Sequence, residues 1–426
     1  MLRTSLLLLV CLAPLAFGAM PVWVWAVLAC WSGVLLVGVG WRQAHEPQRG
    51  GSPFFAVAVL CLLLVLAYAF VQAVPGLPGA HPLWAQAADA LGEELDGAIS
   101  MDPRRTLAGA VKLALPLTVL LLAHALAGPA DQRERALAVF VAAATGYAVY
   151  ALWMQAGGGQ QVLWVAKAAY RDVATGTFIN RNAFAAYLGL ALVATAAVLL
   201  ARLRDEGLVI LVGGAWPWTA GFLLLATALV ATQSRGGLAS VALALAALLW
   251  LRPLTEPRWL SFALRLSASG GLAFGALHLA AERWEALAAE SVERLAVYRA
   301  TVEAILERPL LGHGLGSFPE AFARHRPESV ERVFDQAHNG PLHAALELGI
   351  PAASLLLLGL ILLVATAWRP ARRGDVPAQA ALAAAVMLAA HTMVDFAPQV
   401  PAVAISAAFL MGLAAAAAPE ARQPPG

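Results

Sequence analysis

Apolar runs of bilayer-crossing length recur from one end of this chain to the other, and they restrict its fold more than any other feature. A helix needs about 20 apolar residues to cross the hydrocarbon core. Runs of roughly that kind fall at 4–19, 22–40, 54–74, 107–128, 136–155, 183–201, 216–232, 238–252, 259–280, 342–367, 377–394 and 401–418. Lipid offers the backbone no water to bond with, so segments of this length have to be helices that satisfy themselves. The expected fold is an all-α integral membrane protein with about 12 transmembrane helices. The charge content agrees: 13% of the 426 residues are Asp, Glu, Lys or Arg, against about 25% in soluble domains.

The first run, behind Met1-Leu-Arg3, has the layout of a secretory signal peptide, with small residues at 13–19. A second run follows almost at once, so the first reads as a retained helix that forms a hairpin with it. Cys11, Cys30 and Cys61 all lie inside apolar runs, where cysteine behaves as a small hydrophobe. The net charge of +2 gives no reason to expect nucleic acid as a partner.

Arginine sets the orientation. With the N-terminus inside, Arg3, Arg42, Arg49, Arg133, Arg135, Arg202, Arg204, Arg252, Arg258, Arg369, Arg372, Arg373 and Arg422 all fall in the cytoplasm. Every short cytoplasmic connection then carries arginine, as the positive-inside rule requires. Both chain ends are inside, and the long connections 75–106, 155–182 and 281–339 face outward, into the periplasm of a Gram-negative cell. Within them, 85–95 and 286–306 have helical apolar spacing that suits the interface between lipid and water.

Four polar segments come to that outer face. Asn180-Arg181-Asn182 opens span six, Gln233-Ser-Arg235-Gly-Gly turns between spans seven and eight, and the long loop brings Arg294, Arg299, His313 and His338. Span eleven ends on His391-Thr-Met-Val-Asp395, whose His and Asp lie one turn apart on a helix. Charge near the hydrocarbon is costly and marks functional residues by default. Each segment also has a plainer use. Arg235 could anchor a helix end at lipid headgroups, Asn180 and Asn182 could cap span six, and Arg294 and Arg299 could form a solvated helix face. His391 and Asp395 could be a structural pair. Gly312-His-Gly-Leu-Gly316 lacks the strand context of a nucleotide loop and reads as a turn. His338 stands out, because Asp335 precedes it by three residues and would orient its ring if the segment were helical.

The chain resembles the bacterial O-antigen ligase and O-antigen polymerase-like proteins. The likeness rests on Gly176-Thr-Phe-Ile-Asn-Arg-Asn-Ala-Phe, Gln233-Ser-Arg-Gly-Gly, Arg294-Leu-Ala-Val-Tyr298 and Arg308-Pro-Leu-Leu-Gly-His-Gly-Leu-Gly-Ser-Phe318. It continues through Ala337-His-Asn with Glu347-Leu-Gly349 and ends on Val394-Asp-Phe396. His338, Asn339, Gly349 and Ala352 follow the ligase spacing, with Ala352 where Gly or Thr is commoner and Tyr298 where Trp is more usual.

That resemblance implies a glycosyltransferase of GT-C-type architecture with a long helical periplasmic loop, sited in the bacterial inner membrane. Its donor would be an undecaprenyl-diphosphate-linked glycan and its acceptor the lipid A–core oligosaccharide. No metal or other cofactor is implied, membrane lipids are the surroundings, and a monomer is expected. His338 and Arg235 take the catalytic places; Arg181, Arg294, Arg299, Asn180, Asn339 and Asp395 would bind diphosphate or acceptor. The chain divides into 1–280 with helices 1–9, a periplasmic loop 281–341 with the catalytic motif, 342–418 with helices 10–12, and a disordered cytoplasmic tail 419–426. A polymerase that joins lipid-linked repeat units would share the donor chemistry. A secondary transporter with a Glu347–His391–Asp395 proton relay is a remoter alternative.

Overall fold

The structure, a computed structural model, describes residues 1–43, 52–251, 261–263, 265–271, 284–328, 330 and 334–417, without the side chains of Leu208 and 284–292. It is built almost wholly from helices: α1 (Leu2–Leu12), α2 (Val22–Gln43), α3 (Pro53–Gln72), α4 (Pro82–Leu91), α5 (Pro103–Leu126), α6 (Ala130–Ala156), α7 (Arg181–Glu206), α8 (Trp216–Ala231), α9 (Arg235–Leu251), α10 (Trp284–Glu307), α11 (Phe318–His325), α12 (Gly340–Arg373), α13 (Val376–Thr392) and α14 (Pro401–Ala415). One two-residue antiparallel ribbon, Gln161–Val162 with Val165–Ala166, is the sheet among the described residues.

Six of these helices, α2, α3, α5, α6, α7 and α12, are long and apolar enough to cross a membrane. Five shorter apolar helices, α1, α8, α9, α13 and α14, accompany them. This is the composition of an all-α membrane protein. The expected span 259–280 lies largely outside the described residues, as do Arg49, Arg252, Arg258, Arg422 and the tail.

The first span is shorter than expected. α1 ends at Leu12, ahead of Pro14, and Phe17, Gly18 and Ala19 turn the chain through left-handed backbone. Eleven residues rise about 16 Å, roughly half the thickness of a hydrocarbon core. The hairpin with α2 does form, fastened where Trp31 Nε1 donates to Ser5 Oγ at 2.9 Å.

α7 is the axis of the bundle. Every residue from Ala183 to Val198 is buried, enclosed by α6, α8, α9, α13 and α14. Its sequence, rich in Ala with a single glycine at 189, permits the close approach on which helix packing in lipid depends. A Cβ on Gly189 would sit 2.5 Å from Met387 Sδ of α13 and 2.7 Å from Val241 Cγ2 of α9. α14 and α5 meet the same way, for a Cβ on Gly412 would lie 2.6 Å from Ala123 Cβ.

One buried ion pair ties three helices together at the end of the bundle where α6 and α13 begin. Arg133 of α6 donates from Nη1 and Nη2 to the two Asp375 oxygens at 2.9 and 2.6 Å. Asp375 in turn caps α13 through Ala378 N, and Arg133 reaches toward the Leu413 carbonyl of α14.

α12 is not one rod. Gly349 takes φ 76°, ψ 160° inside it, and Pro351 follows, so the helix breaks between a short first segment and a long second one. The turn 309–314 fills the break: Ile350 N donates to Pro309 O at 2.8 Å, and the Leu346 and Glu347 carbonyls accept from His313 N and Gly314 N at 2.9 and 3.0 Å.

Candidate functional site

The start of α12 fixes the central histidine. Asn339 caps the helix by accepting from Leu342 N at 3.1 Å, which sets His338 immediately outside it. There His338 adopts φ 51°, a left-handed conformation that is uncommon away from glycine. Tyr298 of α10 holds that backbone by donating its hydroxyl to the His338 carbonyl at 3.0 Å. Burial pushes the Tyr298 phenol upward against the nearby Arg294 charge, with Asp395 adding to the rise, so it stays a neutral donor.

His338 Nδ1 faces Asp395 Oδ1 at 3.5 Å. That separation is long for a hydrogen bond, and the contact is an ion pair only when the imidazole carries a proton. The Asp395 side chain is only 4% exposed, whereas His338 keeps 21% of its side chain open. Burial drives the Asp395 carboxyl up, but His338, the Phe396 amide at 2.7 Å and the His391 ring outweigh it and hold the carboxyl below its ordinary range. Phe334 and Phe396 meet the His338 ring edge-on at 5.9 and 5.2 Å.

The turn after α13 is the meeting point of the expected segments. Arg294 Nη1 donates to Val394 O at 3.0 Å, and Asn339 Nδ2 reaches Met393 O at 3.3 Å. The start of α9 touches the same turn, since a Cβ on Gly236 would lie 3.1 Å from Val394 Cγ2. Arg235, the residue before it, is the first of α9. Ser234 then links to the start of α7 by donating to Asn182 Oδ1 at 2.8 Å. Next to Asn182, Arg181 lies 5.3 Å over the Tyr170 ring. Four segments far apart in sequence are thus linked by a chain of contacts at one place.

Several residues sit differently from the sequence expectation. Asp335 is exposed in a non-helical stretch, and Asp395 is the carboxylate beside His338. α13 ends at Thr392, so Asp395 is reached by a turn, with its amide donating to His391 O at 3.0 Å. Asn180 spends its carbonyl on capping α7, accepting from Asn182 N and Ala183 N at 2.7 and 3.2 Å. Asn339 uses both ends of its amide on the protein. Arg299 is exposed, and no described contact brings it to His338. The residue that sequence reasoning undervalued is Tyr298, noticed only as a substitute for Trp.

A second polar cluster joins the loops on the far side of α12. Arg308 donates to Gly312 O at 3.0 Å, Ala80 O at 3.2 Å and Gly79 O at 2.6 Å. His313 Nε2 meets Ala304 O at 2.8 Å, and its Nδ1 meets His81 Nε2 at 3.0 Å. His81 Nδ1 accepts from Leu83 N. Since the carbonyl and the amide fix those two ends, both rings are neutral, with His81 the donor between them. Glu347 accepts from His343 Nε2 at 3.1 Å and from Phe318 N at 3.3 Å. The Gly312–Gly316 stretch is a packed turn, as its sequence implied, and this cluster is architecture. Among the described residues, no three His, Cys, Asp or Glu side chains gather to hold a metal ion.

Residues 220–357 match the family model described as O-antigen ligase. The matched stretch contains Arg235, Arg294, Arg299, His338 and Asn339; Asn180 and Arg181 precede it and Asp395 follows it. The match supports an O-antigen ligase-like family for the chain. No curated protein matches it.

Proposed function

We propose that this O-antigen ligase-like chain is a membrane glycosyltransferase that moves a glycan from undecaprenyl diphosphate to the lipid A–core oligosaccharide, at the periplasmic face of the bacterial inner membrane. The observation that supports the reading is the His338–Asp395 pair, with Arg294 of α10 bonded to the same turn and with the starts of α7 and α9, which carry Arg181 and Arg235, linked to that turn through Asn182, Ser234 and Gly236. Breaking a sugar–diphosphate bond leaves negative charge on the departing diphosphate. Preorganised guanidinium groups stabilise such charge through paired hydrogen bonds, and losing one electrostatic donor of this kind costs on the order of 3 kcal/mol. Arg235, with Arg181 and Arg294, holds the diphosphate, and this reading calls on no metal.

His338 acts on the acceptor. Its Nδ1 edge is turned to Asp395, which orients the ring and stabilises it once protonated, leaving Nε2 to take the hydroxyl proton. Attack opposite the leaving group inverts the anomeric centre. Phe334 and Phe396 wall the ring and keep it from swinging.

The experiment is a reconstituted transfer assay with one defined lipid-linked donor and two acceptors, lipid A–core and a second lipid-linked oligosaccharide. Transfer to the first supports ligation. Transfer only to the second assigns the chain to repeat-unit polymerisation, whose donor chemistry would be the same. His338→Ala lowers transfer by about a hundredfold or more, the range of a lost general base. Transfer at the parental rate by a normally inserted His338→Ala protein would remove the catalytic assignment.

A further inference from the structure

At the opposite end of the bundle from His338, α1 and α6 enclose a recess of about 220 Å³, lined by Arg3 and Leu7 on one side and Gln132, Arg135, Ala136 and Val139 on the other. The end is fixed by the chain path: α6 starts here and runs toward the connection that leads to Asn180, while the nearby Arg133–Asp375 pair marks the start of α13. The four α6 residues follow i, i+3, i+4, i+7 spacing and so share one face.

The recess has a charged floor and an apolar wall. Arg3 is held in place by donating from Nε to Leu126 O at 2.8 Å and from Nη1 to Gln132 Oε1. Gly128 makes room for it, since a Cβ there would lie 2.6 Å from Arg3 Nη2. Among the described residues Arg135 pairs with Asp131 at 3.3 Å, in a pair whose side chains are 80% and 57% exposed. Solvent-exposed pairs of that kind bind weakly and are easily displaced. Unlike Arg133, whose charge is consumed by Asp375, Arg3 and Arg135 leave positive charge facing open space. Leu7, Ala136 and Val139 supply the apolar wall, and Leu8 and Leu12 are exposed farther along α1. The neighbouring slot between Arg3 and Phe409 holds only about 10 Å³, too little to admit an acyl chain.

We propose that this recess binds the phosphate of an anionic glycerophospholipid, with Arg3 and Arg135 on the phosphodiester and the acyl chains lying outside along Leu8, Leu12 and Val139. Basic pockets between membrane helices bind acidic headgroups in this way. The apolar ledge continuing out of the recess selects a lipid over free phosphate, which would have no use for it. The site is independent of the glycosyl-transfer reading, and its test measures lipid binding alone.

The test is native mass spectrometry of the full chain, released from detergent with phosphatidylglycerol and phosphatidylethanolamine supplied in competition. The intact protein retains phosphatidylglycerol preferentially. Arg135→Gln lowers that retention about fivefold, the effect of removing one cation beside an anionic headgroup, and Arg135→Lys retains most of it. Arg3→Gln lowers it as well; because Arg3 also braces α5 and α6, the exposed Arg135 decides the matter if that variant does not fold. Equal retention of the two lipids, or an unchanged preference in Arg135→Gln, would overturn the proposal. So would displacement of the bound lipid by inorganic phosphate, which would assign the recess to a free anion.

Discussion

Tyr298 reaches His338 through the backbone, at its carbonyl. It holds the carbonyl of a residue whose backbone is in a sparsely populated region, and such conformations persist only where surrounding contacts impose them. Removing its hydroxyl leaves a partly buried acceptor unpaired, a change of about 1–1.5 kcal/mol. Tyr298→Phe therefore lowers kcat five- to tenfold while the KM for the lipid-linked donor stays put. A KM rise with unchanged kcat in the transfer assay would instead make Tyr298 a binding residue. The pairing of His338 with Asp395 was not legible beforehand. Local spacing pointed to Asp335, three residues away, but that argument needs a helix, and Phe334–Asn339 is not one. The true partner comes from a turn after α13, and no local rule links the two positions.

At the scale of elements, the apolar runs translated well into helices, because crossing length and internal hydrogen bonding are properties of a single segment. Breaks translated less well. Leu348-Gly-Ile-Pro351 carries a helix-breaking signal, yet the run 342–367 reads as continuous on hydropathy alone. Gly312–Gly316, which overlaps the 309–314 segment in the break, was recognisable as a turn, but what it packs against was not. The His81–His313 contact joins that loop to the start of α4 and makes the junction acid-sensitive. Burial foremost, then Arg308, His313 and Arg324, brings His81 down to about 3; burial also lowers His313, with Arg308 and His325 adding to the fall against the Ala304 carbonyl and Glu307. Unfolded, both rings titrate near 6.5. Between about 6.5 and 3 the unfolded chain binds more protons, so stability is complete at neutral pH and declines as pH falls through that window. The thermal midpoint should drop by a few degrees between pH 7 and pH 5, and the drop should shrink in a His81→Gln, His313→Gln double variant.

Over the whole molecule, the two ends of the bundle use arginine differently. One end carries Arg181, Arg235 and Arg294 on the segments linked to the turn beside His338. At the other, the sequence offered a set of interchangeable inward-facing arginines, and the structure separates them: Arg133 is buried in a pair with Asp375, while Arg135, two residues on, is open. Only the folded chain makes that distinction, since it depends on which side of α6 meets α13. Breaking a buried pair strands the remaining charge and costs about 3–5 kcal/mol. Asp375→Ala should accordingly lower the thermal midpoint far more than Arg135→Ala, with Arg133→Met, Asp375→Ala recovering part of the loss; equal midpoints for the two single variants would show that the pair is not what fastens α6, α13 and α14.

The interruption at Gly349 bears on permeability. Carbonyls set loose inside a membrane helix ordinarily recruit water, and a file of water conducts protons. Here Leu346, Glu347 and Ile350 bond to the 309–314 turn and to Gln72, leaving those groups nothing to hydrate. The bent helix therefore carries its break with these backbone groups bonded inside the protein, and exchange of the Ile350 amide with solvent should be as slow as that of the unbroken segments on either side.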